Sequence, residues 1–440
     1  MKRNYFKIIS VFGILLTGGA GFSQDIRPVS LREAIELGLK NSRQLKTDSA
    51  RVKIASASVI EAEDNRLPGF TISSSYLRIN SPNVALKLKS VSSDSSRPAK
   101  ISQAMYGIAS LSYPLYAGGR IKYGIESAKY LEIAAELDGD NDKQAVILNT
   151  INAFINLYKS SKVIDLVRES LEQSRKRDTD FLRLENNGLL ARNDRLKASL
   201  QTSNLELSLL DAENNQRLAN VNMDLLLGLP EKLTLVPDSA SLMNVPTLKS
   251  FEEYEQSAFQ NRKDVEALTY RLKAANGGIK SAKAERYPTI ALSGGYVAAY
   301  IPNLLTVTNA INIGVGVQYN LAGLWKTNTS LLKAKAKEQE LIANGEIVSD
   351  AIRLQVNQDY QNYVLSIKKI EVYQKALIQA AENFRVTKNK YNNNLVTTTD
   401  LLDADVAKLQ ATLNLTLSKA DAISAYNKLL QTSGLLTIQP

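Results

Sequence analysis

The sequence predicts an α+β protein in which two copies of one unit combine long α-helices with short pairs of membrane-spanning β-strands. The second half of the chain repeats the first, over a unit far longer than a solenoid repeat. Each half contains segments in which apolar and polar residues alternate, most clearly Ile311–Leu321, as in strands with one lipid face and one wet face. Each half also contains a long proline-free stretch with apolar residues at helical spacing, 120–187 and 326–393.

The duplication follows two constant offsets. Ser30 recurs as Ser250, 220 residues later, and Tyr113 recurs as Tyr319, 206 residues later. The first copy therefore carries 14 additional residues, which lie between Tyr76 and Tyr113. The expected organisation is a signal peptide at 1–23, a first copy at 24–229 with a hairpin at about 69–116, a linker at 230–249, and a second copy at 250–440 with a hairpin at about 289–321.

The first 23 residues have the pattern of a secretory signal peptide. Lys2 and Arg3 are followed by an apolar stretch, Ile8–Leu16, and by small residues, so we expect cleavage before Gln24. No later segment has 18 uninterrupted apolar residues, so no transmembrane helix is expected.

The composition excludes several kinds of active site. The chain has no cysteine and no histidine, which removes disulfides, Cys/His zinc sites and Ser-His-Asp triads. Catalysis by carboxylates alone is compatible with this composition, but no phosphate-binding loop or cofactor fingerprint accompanies it, so we expect no enzyme, no cofactor and no metal site. The 54 basic and 44 acidic residues are interspersed along the helices, which indicates a solvated surface and no nucleic-acid partner.

Each copy is expected to begin with a helix. The first should run from about Ser30 to Arg66, with a capping box between Ser30 and Glu33 that Ser250 and Glu253 repeat. A proline two residues after Arg66 should end this helix.

The expected strands follow these helices. In the first copy Phe70, Ile72 and Tyr76 should share a face, followed by Met105 and other apolar residues on the next strand. In the second copy, one strand at about 290–300 precedes Ile311–Leu321. The 14 additional residues should form a loop around Ser81–Gln103.

The long helices should return at two turns. Asn186-Asn-Gly188 and Asn392-Asn-Asn394 interrupt the two proline-free stretches, so each should join two antiparallel helices. Gly118, Gly119 and Gly323 should form the bends between strand and helix, near an interfacial Trp325.

Four membrane strands require partners. They cannot close a barrel, and open strand edges in lipid leave backbone groups unsatisfied. Three chains would supply about twelve strands, with pseudo-sixfold symmetry.

The chain resembles the TolC-like outer-membrane efflux protein family over nearly its whole processed length. The similarity is carried by Arg66-Leu-Pro68 and Arg286-Tyr-Pro288, by Ser112-Tyr-Pro-Leu-Tyr-Ala-Gly-Gly-Arg120, and by Tyr391-Asn-Asn-Asn-Leu-Val-Thr-Thr-Thr-Asp-Leu-Leu-Asp-Ala404. The resemblance implies a trimeric channel with a twelve-stranded outer-membrane β-barrel and a periplasmic α-helical barrel. It implies an outer-membrane location, a periplasmic adaptor and an inner-membrane pump as partners, and transport in efflux or type I secretion.

The resemblance also implies roles for residues at the periplasmic tip. Asp400 and Asp403 match the aspartates of a cation-selective constriction, and three residues apart they should share a helix face. The alternative for these acids is helix capping. Asp405, two residues from Asp403, should face elsewhere.

Asp194 and Tyr391 match residues that latch the tip closed in the family. The family's arginine partner is replaced by Val396, which leaves Arg192 or Arg195 as substitutes. Asn394 replaces the glycine usual in this turn, and asparagine also adopts the left-handed conformation.

Two other classes of protein compete with this interpretation. A secreted soluble helical rod, acting as a scaffold or adhesin, explains the long helices but not the paired alternating segments. A passive porin would explain the membrane strands but not the helices, because porins lack the hundreds of residues of periplasmic helix that this sequence predicts. Within the family, a metal-ion duct has no support from a chain with four methionines and neither histidine nor cysteine.

Overall fold

The computed structural model describes residues 26–80, 102–238, 248–302 and 305–437. The predicted signal peptide and nearly all of the predicted loop at 81–103 lie outside the described residues. The first copy contains β1 (Ile26–Val29), α1 (Leu31–Asn41), α2 (Arg43–Asp64), β2 (Gly69–Arg78), β3 (Gln103–Tyr116), α3 (Arg120–Asn186), α4 (Arg192–Leu227) and β4 (Thr234–Pro237). The second contains α5 (Phe251–Asn261), α6 (Lys263–Ala284), β5 (Thr289–Ile301), β6 (Leu305–Gln318), a 3-10 turn (Leu321–Leu324), α7 (Thr329–Asn392) and α8 (Thr398–Thr432).

The expected first helix is divided in two. Ser42 has φ −54° and ψ 122°, outside the helical region, and its side chain accepts a hydrogen bond from the Leu45 amide at 3.2 Å. Ser42 thus ends α1 and caps α2, because a serine hydroxyl can replace a helical backbone partner. Arg262, with φ −68° and ψ 126°, separates α5 from α6 by the same change of backbone conformation, but its side chain does not cap α6.

The predicted capping boxes form only in part. The Ser30 and Ser250 hydroxyls accept from the amides of Glu33 and Glu253, as predicted. Glu33 does not complete the box, because its carboxylate accepts a hydrogen bond from Arg27 at 2.6 Å. The ion pair with Arg27 replaces the return bond to the cap.

The four long strands form one antiparallel sheet in the order β2-β3-β5-β6. Its register places one set of apolar side chains on one face, since directly opposite residues share a face. Ile311, Ile313, Val315 and Val317 are 63–80% exposed on that face. Strand β6 ends at Gln318, three residues before the predicted end, because the chain passes into the 3-10 turn.

The long helices form a layer that extends from the sheet. Helix α3 has 67 residues and is about 100 Å long at a rise of about 1.5 Å per residue. In the half of the layer near the strands, the helices lie side by side in the order α2, α3, α6, α7. In the half near the far turns, the order is α4, α3, α8, α7. Asn41 donates to the Leu227 carbonyl at 2.6 Å, so the α1–α2 junction meets the end of α4.

The main core lies around this junction, midway along α3. Phe154 and Leu157 are fully buried there. Val29 of β1 and Leu235 of β4 cover them, as the two short strands pair in parallel. Strand β4 lies within the segment that the sequence predicts as a linker.

The predicted glycine bend between sheet and helix is confirmed on the first copy. Gly118 and Gly119 have φ of 63° and 90°, which favour glycine. A Cβ on Gly118 would lie 2.7 Å from the Ala284 carbonyl oxygen, so the bend is also tightly packed. Among the described residues, no helix is both long and apolar enough to cross a membrane.

Candidate functional site

The two turns between long helices lie at the end of the helical layer opposite the sheet. Gly188 and Asn394 are in the left-handed conformation, with φ of 70° and 57°. The amide of the next residue closes each helix end, Leu189 to Leu184 at 2.8 Å and Leu395 to Lys390 at 2.9 Å. Asn394 therefore substitutes for glycine, as predicted.

Asp400 is part of a complete capping box at the start of α8. Its Oδ2 accepts from the Thr397 amide at 2.8 Å and from the Thr397 hydroxyl at 2.7 Å, while its own amide donates to Thr397 Oγ1 at 3.2 Å. These hydrogen bonds hold the pKa of Asp400 below its ordinary value. Asp400 is exposed and carries its charge beside the helix N-terminus.

Asp403 and Asp405 diverge, as the spacing predicts. Asp403 is exposed and has no hydrogen-bond or ion-pair partner among the described residues. Asp405 is buried and its Oδ2 lies 2.5 Å from Nη2 of Arg177 on α3. This ion pair joins the two copies.

Asp194 pairs with a residue that the sequence did not suggest. Its Oδ1 lies 3.5 Å from Lys197 Nζ, and the same ammonium group donates to Thr399 Oγ1 on α8 at 3.0 Å. The suggested Arg195 instead lies 3.5 Å from Glu185. Lys197 thus connects the turn of the first copy to the turn of the second.

Tyr391 packs against the first copy through its ring. The ring stacks on Phe181 of α3, with centroids 5.8 Å apart and planes at 30°. Its hydroxyl lies 3.4 Å from Thr398 Oγ1. No hydrogen bond joins Tyr391 to Asp194, although both are described. Tyr391 contacts the first copy directly through its ring, whereas Asp194 is linked to the second copy only through Lys197.

Sequence reasoning missed Arg177, Phe181 and Lys197. Each contacts a residue more than 200 positions away, and single-sequence periodicity does not give the register between two helices. Among the described residues no group of three acidic, histidine or cysteine side chains is arranged to hold a metal ion.

The comparisons with known proteins give one family match and several solved structures of similar fold. The model of the outer membrane efflux protein family matches residues 34–229 and 255–435. The fold is similar to the outer-membrane channel OprN, with TM-score 0.76 and 19% identity over 93% of this chain and 91% of that chain. No curated protein matches the chain significantly by sequence.

Two further solved structures have similar folds. VceC from Vibrio cholerae has TM-score 0.73 and 21% identity, over 92% of this chain and 96% of that chain. CmeC from Campylobacter jejuni has TM-score 0.75 and 17% identity, over 92% of this chain and 85% of that chain.

The family match covers both copies of the repeat, and the sheet with its long helical layer is the architecture of these channels. The soluble-rod alternative finds no support in these matches. The chain belongs to the outer membrane efflux protein family and is an outer-membrane channel-tunnel for efflux that extends into the periplasm.

Proposed function

We propose that three copies of this chain form one channel, which receives substrates from an inner-membrane pump through a periplasmic adaptor, in efflux or in type I secretion. Channels of this family are trimeric and work with adaptor and pump partners. The observation that carries the proposal is the open sheet: β2 and β6 are edge strands, and the apolar face is exposed.

The need to close the β-barrel explains why one chain would assemble with two further protomers. Unpaired backbone groups in lipid cost several kcal/mol each, and the smallest outer-membrane barrels have about eight strands. Three chains supply about twelve strands, with β6 of one protomer beside β2 of the next. We expect a detergent-extracted trimer by light scattering; a monomer that needs no detergent would contradict the assembly.

Asp400 and Asp403 form the proposed constriction at the periplasmic tip. Both are exposed on the first turns of α8, and the lowered pKa of Asp400 keeps that carboxylate ionised well below neutral pH. In a trimer they would present two rings of three carboxylates, which favour cations in a narrow pore. Capping and pore lining are compatible, because the cap occupies only Oδ2 of Asp400.

Asp194 and Tyr391 are proposed to stabilise the closed tip. Tyr391 acts through its stack on Phe181, and Asp194 acts through Lys197 and its bond to Thr399. Both contacts join the helix pair α3/α4 to the pair α7/α8. Separation of the two pairs during opening would break both contacts.

Planar bilayers test the constriction. The double variant Asp400→Asn, Asp403→Asn should move the reversal potential in a potassium chloride gradient toward zero, because the rings lose their charge. Asp350→Asn removes a carboxylate that is 81% exposed on α7, more than 40 residues from the turn at Asn394, and serves as control. An unchanged reversal potential and unchanged block by trivalent cations would refute the assignment.

A further inference from the structure

A polar groove lies at the junction of sheet and helices, about 530 Å³ in volume. Five elements enclose it: the end of α2, strands β3 and β5, the start of α3, and α6. Its polar lining includes Asn65, Ser112, Arg120, Ser281 and Thr289. None of the described residues that line it is acidic.

Most of the strand residues that line the groove, Ser112, Pro114, Thr289 and Ala291, lie on the polar face of the sheet, whereas Tyr116 and Ile290 at its rim lie on the apolar face. Ser112 pairs with Ser293, and Pro114 pairs with Ala291. Residues directly opposite each other share a face, and the odd-numbered apolar residues of β3 point to the other side. In a closed barrel the apolar face meets lipid, so the groove faces the channel lumen.

Arg120 provides the charge of this groove. It is the first residue of α3, directly after the Gly118-Gly119 bend, and it is exposed. Its guanidinium group has no hydrogen-bond or ion-pair partner among the described residues, in contrast to Arg271, which pairs with Asp138 on α3. An arginine beside hydroxyl groups and without a carboxylate suits an oxyanion, which accepts two parallel N–H bonds.

We propose that this groove is a binding site for the anionic group of a solute in transit, a phosphate, sulfonate or carboxylate, held by Arg120 and the neighbouring hydroxyls of Ser112 and Ser281. The inference rests on the proposed trimer, in which three such sites line the upper tunnel. The proposed site would give the channel a second region of charge selectivity, because the tip carries carboxylates and the junction of sheet and helices carries Arg120. Anionic cargo that has passed the tip is retained briefly before the barrel.

The second copy carries a related residue at the same corner. Lys326 stands 206 positions after Arg120, which is the offset of the repeat, and it is exposed. In the trimer, Arg120 and Lys326 would alternate around the lumen at this height. Arg120 offers a planar fork of donors, whereas Lys326 offers a point charge, so the oxyanion should favour the Arg120 groove.

Block of the channel by tripolyphosphate tests the site. The anion is added on the barrel side of the wild-type trimer in bilayers of phosphatidylcholine, and the half-blocking concentration is measured. Arg120→Gln should raise that concentration roughly tenfold or more, since a hydrogen bond to a charged group contributes about 1.5–3 kcal/mol. Arg120→Lys should restore part of the block.

Arg66→Gln is the matched control, because it removes the same charge at the end of α2 without altering the residues that line the groove. An equal loss of block in Arg66→Gln and Arg120→Gln would refute a local site and indicate a general field. If tripolyphosphate no longer blocks the wild-type channel once phosphatidylglycerol is included in the bilayer, the groove binds lipid headgroups and the proposal is overturned. A wild-type protein that forms no channel would refute the proposed function instead.

Discussion

Asp405→Asn should loosen the periplasmic tip, because it leaves Arg177 charged and buried without its partner. The two side chains are 11% and 14% exposed, and Nη2 of Arg177 lies 2.5 Å from Oδ2 of Asp405. Nη1 of Arg177 is already buried without a hydrogen-bond partner. The contact connects α3 with α8, so its loss weakens the packing between the two copies.

The expected loss of stability at the tip is large because the buried positive charge of Arg177 stays in place. Removal of one partner of a buried ion pair costs about 3–5 kcal/mol, most of it from the uncompensated charge that remains. Asparagine keeps the shape of the side chain, so little of the loss comes from a cavity. Amides near the start of α8 should then exchange with solvent roughly a hundredfold faster or more, if local opening controls exchange.

The chain offers a matched pair between the same two helices. Lys159 Nζ on α3 lies 2.6 Å from Asp421 Oδ1 on α8, but their side chains are 28% and 56% exposed. An exposed pair contributes about 1 kcal/mol or less, so Asp421→Asn should accelerate exchange about fivefold at most. The comparison keeps the two helices and the Asp→Asn substitution the same, and it varies the burial of the pair together with its cation, arginine in one and lysine in the other.

Hydrogen exchange with mass spectrometry on the detergent-solubilised protein measures both effects. The double variant Arg177→Met, Asp405→Leu serves as a second control, because replacing a buried pair by apolar residues is often neutral or stabilising. The reasoning is refuted if Asp405→Asn and Asp421→Asn accelerate exchange equally, or if the double variant exchanges as fast as Asp405→Asn.

Two further predictions concern stability away from the tip. Burial, with added repulsion from Glu231, raises the pKa of Asp224 to about 6, so the contribution of this group to wild-type stability should fall by about 3 kcal/mol as pH rises from about 4 to 6. Asp224→Asn should abolish that fall in Tm measured against pH, and parallel curves would contradict it. Gly118→Ala should lower the yield and Tm of the assembled protein, because the left-handed φ and the Ala284 carbonyl 2.7 Å from its Cβ strain the bend by about 1–3 kcal/mol. Gly278→Ala, where nothing lies within 4 Å, should be neutral or slightly stabilising, and equal losses would contradict the strain argument.

The parts of the fold that depend on local pattern were predictable. Alternation located the four strands, and the absence of proline located α3 and α7. The duplicated turns were found because Gly188 and Asn394 are residues that adopt the left-handed conformation. Each of these sequence patterns lies within the strand, helix or turn that it predicts, so a single sequence is enough to recognise it.

Features that interrupt a continuous local pattern, or that depend on distant register, were not predictable from one sequence. The division at Ser42 arises because its hydroxyl competes with the helix, and the first helix pattern continues through it. Strand β4 pairs with β1 from about 200 positions away, so the segment resembles a linker. The spacing from Asp403 predicted that Asp405 faces a different direction. The identity of its partner, Arg177, was not predictable, because it depends on how α3 and α8 align.

Divergence between the two copies places the acidic charge of the tip on α8. Asp194 and Lys197 occupy the positions that Asp400 and Asp403 occupy in the second copy, at the same offset of 206. In the first copy the carboxylate is paired with the ammonium group, which also bonds Thr399; in the second, Asp403 is unpaired among the described residues. The turn of the first copy is therefore suited to hold the tip together, whereas that of the second is suited to present charge. A first copy with acids at both positions would lose the Lys197 bond to Thr399 and would add carboxylates beside those of the second copy, which is unfavourable because like charges at close range repel.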